Sequence, residues 1–439
     1  MISSSNSLFG LFSCAVVNAG LAHATPDVIT RDTVILGGGS SGTYAAVRLK
    51  DLGKSVIIVE RNDYFGGHGE TFYTADGRPI NYGVEGFFNT NITLDYLARL
   101  NVPYEVRVPA SLQDEYVNLR TAWVDAISQF NTLKDGVYRF PDPIPEDLLI
   151  TFGEFVEKYH LENSVQAVFS HGSGNSLKLP TLYVIQYIGV PHAAALREGY
   201  LRPVNGIADL YTRARTILAP DVLYQTMAEN VTQSSNGVEM LVLSSNGRKT
   251  LIQAKNMLVT IPPTLHHLTG FDLTFEETNL FSKWKYQSYY ALIINETGLP
   301  DTTNIVNIDP DKTENPYSIP EEPFIWRIDA QRVPGYRTIK LVGNEQFSPD
   351  DAKALLYDTF ERMAAEGTYP TQRPEIVRWG CHTPVTMMVT PDEIRQGFYE
   401  RLYELQGQRS TFYTGAAWCS DYSTLLWGFT DGVVDRIIG

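Results

Sequence analysis

The chain has 439 residues, 43% of them hydrophobic and 19% charged, which is enough for two or three domains around a sizeable core and excludes a disordered chain. Its net charge of −15 argues against a nucleic-acid partner, which requires a basic face.

The first 24 residues carry a mostly apolar run from Leu8 to Leu21, short for a bilayer span and followed by Ala22-His23-Ala24. We read them as a cleaved signal peptide that sends the chain to the endomembrane lumen or out of the cell. No Lys or Arg precedes Arg31, and a buried or anchoring helix is the alternative. Asn91-Ile92-Thr93, Asn230-Val231-Thr232 and Asn295-Glu296-Thr297 are permissive glycosylation acceptors. Loss of the leader removes Cys14 and leaves Cys381 and Cys419, two thiols that an oxidising compartment allows to pair.

Next comes DTVILGGGSSGTYAAVRLKDLGKSVIIVE, a strand, a tight turn, a helix carrying Ala45, Val47 and Leu49, and a second strand over Val56–Val59. Between the first strand and the helix, Gly37, Gly39 and Gly42 spell G-x-G-x-x-G. The first glycine allows the sharp turn, the second lets backbone approach a pyrophosphate, and the third lets helix and strand pack closely. Glu60, with Arg61 beside it, ends the second strand, where a carboxylate accepts hydrogen bonds from ribose hydroxyls and disfavours a 2′-phosphate. A nicotinamide and a flavin dinucleotide both fit this signal.

From about residue 91 to 199 helical stretches alternate with Pro-rich loops. Strands return over 221–263, where Asn236-Gly237 and Asn246-Gly247 punctuate a meander. Residues 285–345 are strand-rich, Ser348 caps a helix, and the sequence finishes in a strand, a Gly loop and a helix.

Two segments go further, ERNDYFGGHGET at 60–71 and FYTGAAW at 412–418. With them the chain resembles the flavin amine oxidase superfamily, and within it a fungal branch typified by β-cyclopiazonate dehydrogenase, whose members carry Gly-Gly-His and a TGAAW ending. The resemblance implies an α/β fold: a Rossmann-like FAD-binding domain of the glutathione-reductase type with an inserted α+β substrate domain. It divides the chain into FAD-binding parts at 30–90, 200–265 and 395–439, a helical substrate segment at 91–199 and a further substrate segment at 266–394. FAD is the implied cofactor. Gly67 and His68 would lie along its pyrophosphate and ribityl chain, Val231 at the adenine, and Gly415 with Phe429 at the flavin ring.

His68 stands where amine oxidases resembling this chain carry an arginine. Three roles are open to it: a hydrogen-bonding neighbour of the cofactor, a covalent attachment point, or a catalytic base. Cys381 raises a parallel question of attachment. The lysine that many amine oxidases hold near the flavin is replaced in our register by Tyr289 or Tyr290, with Lys285 a turn earlier, and Ala416 stands where a Glu is common. The catalytic candidates are Tyr289, Glu85 and Trp427, and His382 is a further candidate for the cleft. The expected activity is hydride removal from a small organic substrate, a dehydrogenation or oxidative cyclisation with O2 as acceptor and no metal. Direct amine oxidation and a non-catalytic flavin-fold binder are the alternatives; the sequence leaves the oligomeric state open.

Overall fold

Asp27–Leu36 form β1, whose last four residues are all buried, and Val56–Val59 form β2, buried throughout. Strands covered on both faces read as continuous apolar runs, as these two do. Between them helix α1 spans Ser40–Asp51. The computed structural model describes residues 26–108, 122–171, 174–309 and 316–439, so the expected leader and Cys14 lie outside the described residues.

The hairpin of β3 (Thr71–Tyr73) and β4 (Pro79–Asn81) follows, then a second one whose strands β5 (Tyr104–Arg107) and β6 (Tyr200–Pro203) flank the helical segment. β7 (Val222–Leu223), β8 (Thr226–Ser234), β9 (Gly237–Ser244) and β10 (Lys249–Val259) complete the first sheet, in the order β7-β2-β1-β10-β9-β8. Both expected Asn-Gly turns are present, with Gly237 and Gly247 at positive φ. β10 pairs with β9 along its first half; its last three residues, Met257–Val259, pair in parallel with Thr411–Tyr413, a strand far along the chain. One sheet is therefore assembled from three separated stretches, 27–59, 222–259 and 411–413. Helix α1 packs on the last helix, Ser423–Ile438, burying Ala45, Val47 and Leu49 with Val433 and Val434.

The second sheet is antiparallel and starts with β11 (Lys285–Asn295), followed by β12 (Ile305–Val306), β13 (Phe324–Ala330), β14 (Arg337–Gly343), β15 (Glu375–Cys381) and β16 (Val385–Met388). Alternation along β11 decides its two faces. Tyr290, Leu292 and Ile294 pack against Leu356 and Phe360 of helix Pro349–Glu366. That helix begins at Ser348 in a reciprocal capping box with Asp351, as its sequence predicted. Ala291 and Ile293 point the other way, onto Ile80 and Tyr82 of the first unit. The inward face of β11 thus meets the segment that follows the first dinucleotide loop.

Of the three glycosylation acceptors, Asn230 is exposed on β8, whereas the side-chain oxygen of Asn295 is buried.

Candidate functional site: a dinucleotide cradle opening into a cleft

Gly37 sits at φ +105°, and its amide donates to the Val59 carbonyl at 2.9 Å. A Cβ on Gly42 would stand 2.0 Å from the Gly37 carbonyl oxygen, so α1 lies directly on the turn. Gly39 differs: its φ of −73° is ordinary, and a Cβ there would meet only Gly67, whose Cα is 3.8 Å away. Gly67, at φ +54°, faces back, with its own Cβ position 3.1 Å from the Gly39 Cα. The amide of Gly66 bonds the Gly38 carbonyl at 3.0 Å and ties the two loops together. Their bare backbones meet at the start of α1, whose N-cap Gly39 provides no side-chain cap. The buried hydroxyl of Ser41 in the first turn has no hydrogen-bond partner among the described residues. Free helical amides, two close backbones and an orphaned hydroxyl fit a pyrophosphate. Glu60 is buried at the end of β2, where its carboxylate accepts from the Gly38 amide at 2.6 Å and the Asn62 amide at 2.8 Å. Arg61 beside it is exposed.

Gly415, at φ +111°, completes the cradle from the far end of the sequence. A Cβ on it would stand 3.1 Å from the Thr260 carbonyl, while the Thr260 hydroxyl donates to Leu36 and Gly37 carbonyls at 3.0 and 3.1 Å. One other expected cofactor position differs from what the resemblance implied. Val231 is 1% exposed, and its backbone amide and carbonyl are occupied by Gly270 and Asp272, so it has nothing to offer an adenine. The part of β8 that reaches the acidic strand end is Thr226, whose amide donates to the Glu60 carbonyl at 2.9 Å. Phe429 is partly buried, its ring centroid 6.0 Å from that of Tyr403.

Trp427 requires the plainest correction. It is 0% exposed, stacks on Tyr44, and donates its indole N–H to Ser40 Oγ at 3.0 Å. A residue so enclosed fixes the last helix against α1 and presents no surface to a substrate.

His68 shows the opposite pattern. It is solvent-accessible yet densely surrounded by protein, which places it on the wall of an interior cleft. Its imidazole is held well below the usual histidine range by the burial, then by His382 and Arg61, so it is neutral at pH 7. Its ring stacks on His382 at 4.4 Å and 15°, and His382 in turn lies parallel to Tyr289 at 6.0 Å and 16°. Behind the row, His382 Nε2 meets the Glu70 carboxylate at 2.8 Å, and Tyr64 donates to the other carboxylate oxygen at 3.1 Å. Glu70 is a component that sequence reasoning missed: no spacing rule joins two residues 312 positions apart.

Tyr289 thus faces the cleft from β11, with its phenol pushed far up by burial and by Glu85. Lys285 is exposed at the start of the same strand and Tyr290 packs under the helix. Cys381 pairs with Tyr290 on the face away from His68; it and the buried Cys419 are both free thiols, so the pairing allowed by sequence is not made. Glu85, like His68, is accessible within dense surroundings. Burial pushes its carboxyl up, but Lys340, at 3.5 Å, with Arg202 and Arg327, outweighs that and holds it below the usual range. Asp421, between Gly415 and the last helix, is pushed up to about 6 by burial. His171 is pulled down to about 4 by the same cause. Of these groups Asp421 is the one whose protonation changes nearest neutral pH.

A family model for an NAD(P)-binding Rossmann-like domain matches residues 35–100. Over 98% of both chains the sequence is 56% identical to β-cyclopiazonate dehydrogenase of Aspergillus flavus. It is 58% identical to the enzyme of that name from Aspergillus oryzae over 94% of each. An FAD-dependent oxidoreductase of Cochliobolus heterostrophus is 32% identical over 97% of each chain. Two solved structures share the fold: a fatty acid isomerase of P. acnes, at a TM-score of 0.73 and 17% identity over 92% of this chain and 98% of that one, and a putrescine oxidase variant redesigned for cofactor binding, at 0.65 and 14% over 94% and 99%.

Proposed function

The chain belongs to the family of fungal FAD-dependent oxidoreductases that includes β-cyclopiazonate dehydrogenase, and on that premise we propose that it dehydrogenates, or oxidatively cyclises, a secondary metabolite of the β-cyclopiazonate kind. It is an FAD-dependent oxidoreductase. The observation that supports the finer reading is the identity of 56–58% to β-cyclopiazonate dehydrogenases across nearly the whole length.

The residues fit the cofactor. The bare backbone at Gly39 and Gly67 and the amides at the start of α1 would hold its pyrophosphate, and Glu60 a ribose. When bound, the flavin accepts the hydride. The protein's own work is to orient the substrate and to hold protons. Neutral His68 has one nitrogen free of a proton, which would serve the bound cofactor either as a hydrogen-bond acceptor or as an attachment point. Tyr289 stays protonated and donates into the cleft. We assign O2 as the acceptor, and export by the leader, as parts of the same proposal. Amine oxidation is the weaker reading, since the cleft position on β11 is Tyr289 and Lys285 is exposed at the strand's start.

The test is anaerobic mixing of the purified yellow protein with β-cyclopiazonate, then admission of air. Bleaching of the visible band followed by its return with peroxide supports the reading. A flavin-loaded protein that β-cyclopiazonate fails to bleach, but a primary amine reduces, overturns it.

A further inference from the structure

Helix Thr181–Tyr187, strand β16 and the loop after Gly415 line a pocket whose wall includes Tyr138, Gln186, Tyr187, Met387, Ala416 and Asp421. Ala416 directly follows the glycine that completes the cradle, so the pocket borders the loop that closes on the cofactor. Its rings are fixed from behind. Tyr138 stacks on Tyr399 at 4.1 Å and 16°, and Tyr183, also on the wall, hydrogen bonds the Tyr399 hydroxyl at 2.9 Å. Aromatic walls held in this way suit a flat, unsaturated ligand.

Several polar groups on the wall are already used. Tyr187 and Thr386 hydrogen bond each other, Thr386 donates on to Gln287 Oε1 at 2.8 Å, and Ser420 Oγ donates to the Gln186 backbone carbonyl at 2.8 Å. Two others have no such partner. Gln186 is 8% exposed, and its side-chain nitrogen has no hydrogen-bond partner among the described residues. Asp421 is solvent-accessible yet densely surrounded by protein, as His68 is, and its carboxylate makes no ion pair or side-chain hydrogen bond with another described residue. The Ser420 amide also donates to the Gly136 carbonyl at 2.8 Å, so backbone and side chain of that serine both hold the neighbouring Asp421 on the wall it shares with Gln186. The Asp421 charge acts on the Tyr289 phenol, as that of Glu85 does, which places it within electrostatic reach of the His68–His382–Tyr289 row.

An unpaired buried donor and an unpaired carboxylate each carry a desolvation cost in the free protein, which a complementary ligand relieves. The carboxylate accepts and the amide nitrogen donates. A ligand that satisfies both offers an N–H to Asp421 and a carbonyl oxygen to Gln186. An ammonium ion would satisfy Asp421 alone and leave the Gln186 donor unpaired.

We propose that Asp421 and Gln186 form a polar anchor in the aromatic pocket beside the Gly415 loop, which selects planar substrates carrying an N–H donor together with a carbonyl acceptor, a cyclic amide being the simplest. This inference rests on the flavoenzyme reading above and names the substrate class that the site accepts.

The test titrates the flavin-loaded protein with 2-quinolone, N-methyl-2-quinolone and 1-naphthylmethylammonium, reading perturbation of the visible flavin spectrum and thermal stabilisation. The first carries both groups on a flat bicycle, the second lacks the donor, and the third lacks the acceptor. Unmethylated quinolone should bind about tenfold or more tightly than its N-methyl partner. Asp421→Ala should abolish most of that preference with flavin content unchanged, and Asp421→Asn, which keeps a neutral acceptor, should retain part of it. Gln186→Met should weaken both quinolones alike and leave their ratio unchanged, because both keep the carbonyl. Equal binding of the two quinolones, binding of neither, tighter binding of the ammonium, or an unchanged preference in Asp421→Ala overturns the anchor. A protein that binds no flavin would instead overturn the underlying reading, so the two failures are distinguishable.

Discussion

Gly39→Ala and Gly42→Ala should separate cofactor binding from folding, because the two positions differ in what a methyl group meets. At Gly39 the backbone is ordinary for any residue, and the nearest atom to a new Cβ is the Gly67 Cα at 3.8 Å, a normal contact. The folded chain accepts the change, with a stability shift within about 0.5 kcal/mol. The methyl group nonetheless covers backbone at the start of α1 that a pyrophosphate needs bare. At Gly42 the new Cβ would stand 2.0 Å from a backbone carbonyl that cannot turn aside. Helix α1 must then shift from β1 and its packing on the last helix, a loss of about 1–3 kcal/mol. The assay is the ratio of visible flavin to protein absorbance together with thermal unfolding of flavin-free protein. Gly39→Ala should keep its melting temperature and lose at least tenfold in flavin affinity, about 1.4 kcal/mol. Gly42→Ala should melt several degrees lower. A Gly39→Ala protein that retains its full flavin complement would refute the assignment of this backbone to the cofactor.

His382→Ala leaves the buried Glu70 carboxylate without its ring partner, and with Tyr64 still bonded the loss should fall near 3 kcal/mol in chemical denaturation. His68→Ala, on an accessible wall, should cost far less stability and reduce flavin retention; acid precipitation of the unmodified protein then separates the two contacts open to it, since only an attached flavin stays with the pellet. Acidification should destabilise the fold. His68, His171 and His192 have pKa values depressed by burial, so the unfolded chain takes up protons first, and stability falls as pH drops from about 6.5 toward 4. Asp421, raised to about 6, acts in the opposite direction, so Asp421→Asn should steepen that fall in a series of melts. Trp427→Phe should lower stability by about 1–3 kcal/mol through a lost hydrogen bond and a cavity, with substrate KM unchanged; a shift in KM at constant stability would return that residue to the cleft.

What the sequence determined by itself was whatever local backbone demands encode. The turn at Gly37, the helix after it, the capped helix at Ser348 and the Asn-Gly meander each need particular residues within a few positions. They were readable for that reason. Resemblance then supplied the flavin and the division of the chain. Tertiary structure decided which side chains share the cleft. The resemblance put Val231 at the adenine and Trp427 among the catalytic candidates, yet strand register and helix rotation turn both into the core. Glu70 meets His382 across 312 residues because the inward face of β11 and its neighbours packs on the first unit. Short-range conformational preferences are written in consecutive residues; charge partners, stacking and burial depend on packing between segments that no local pattern connects.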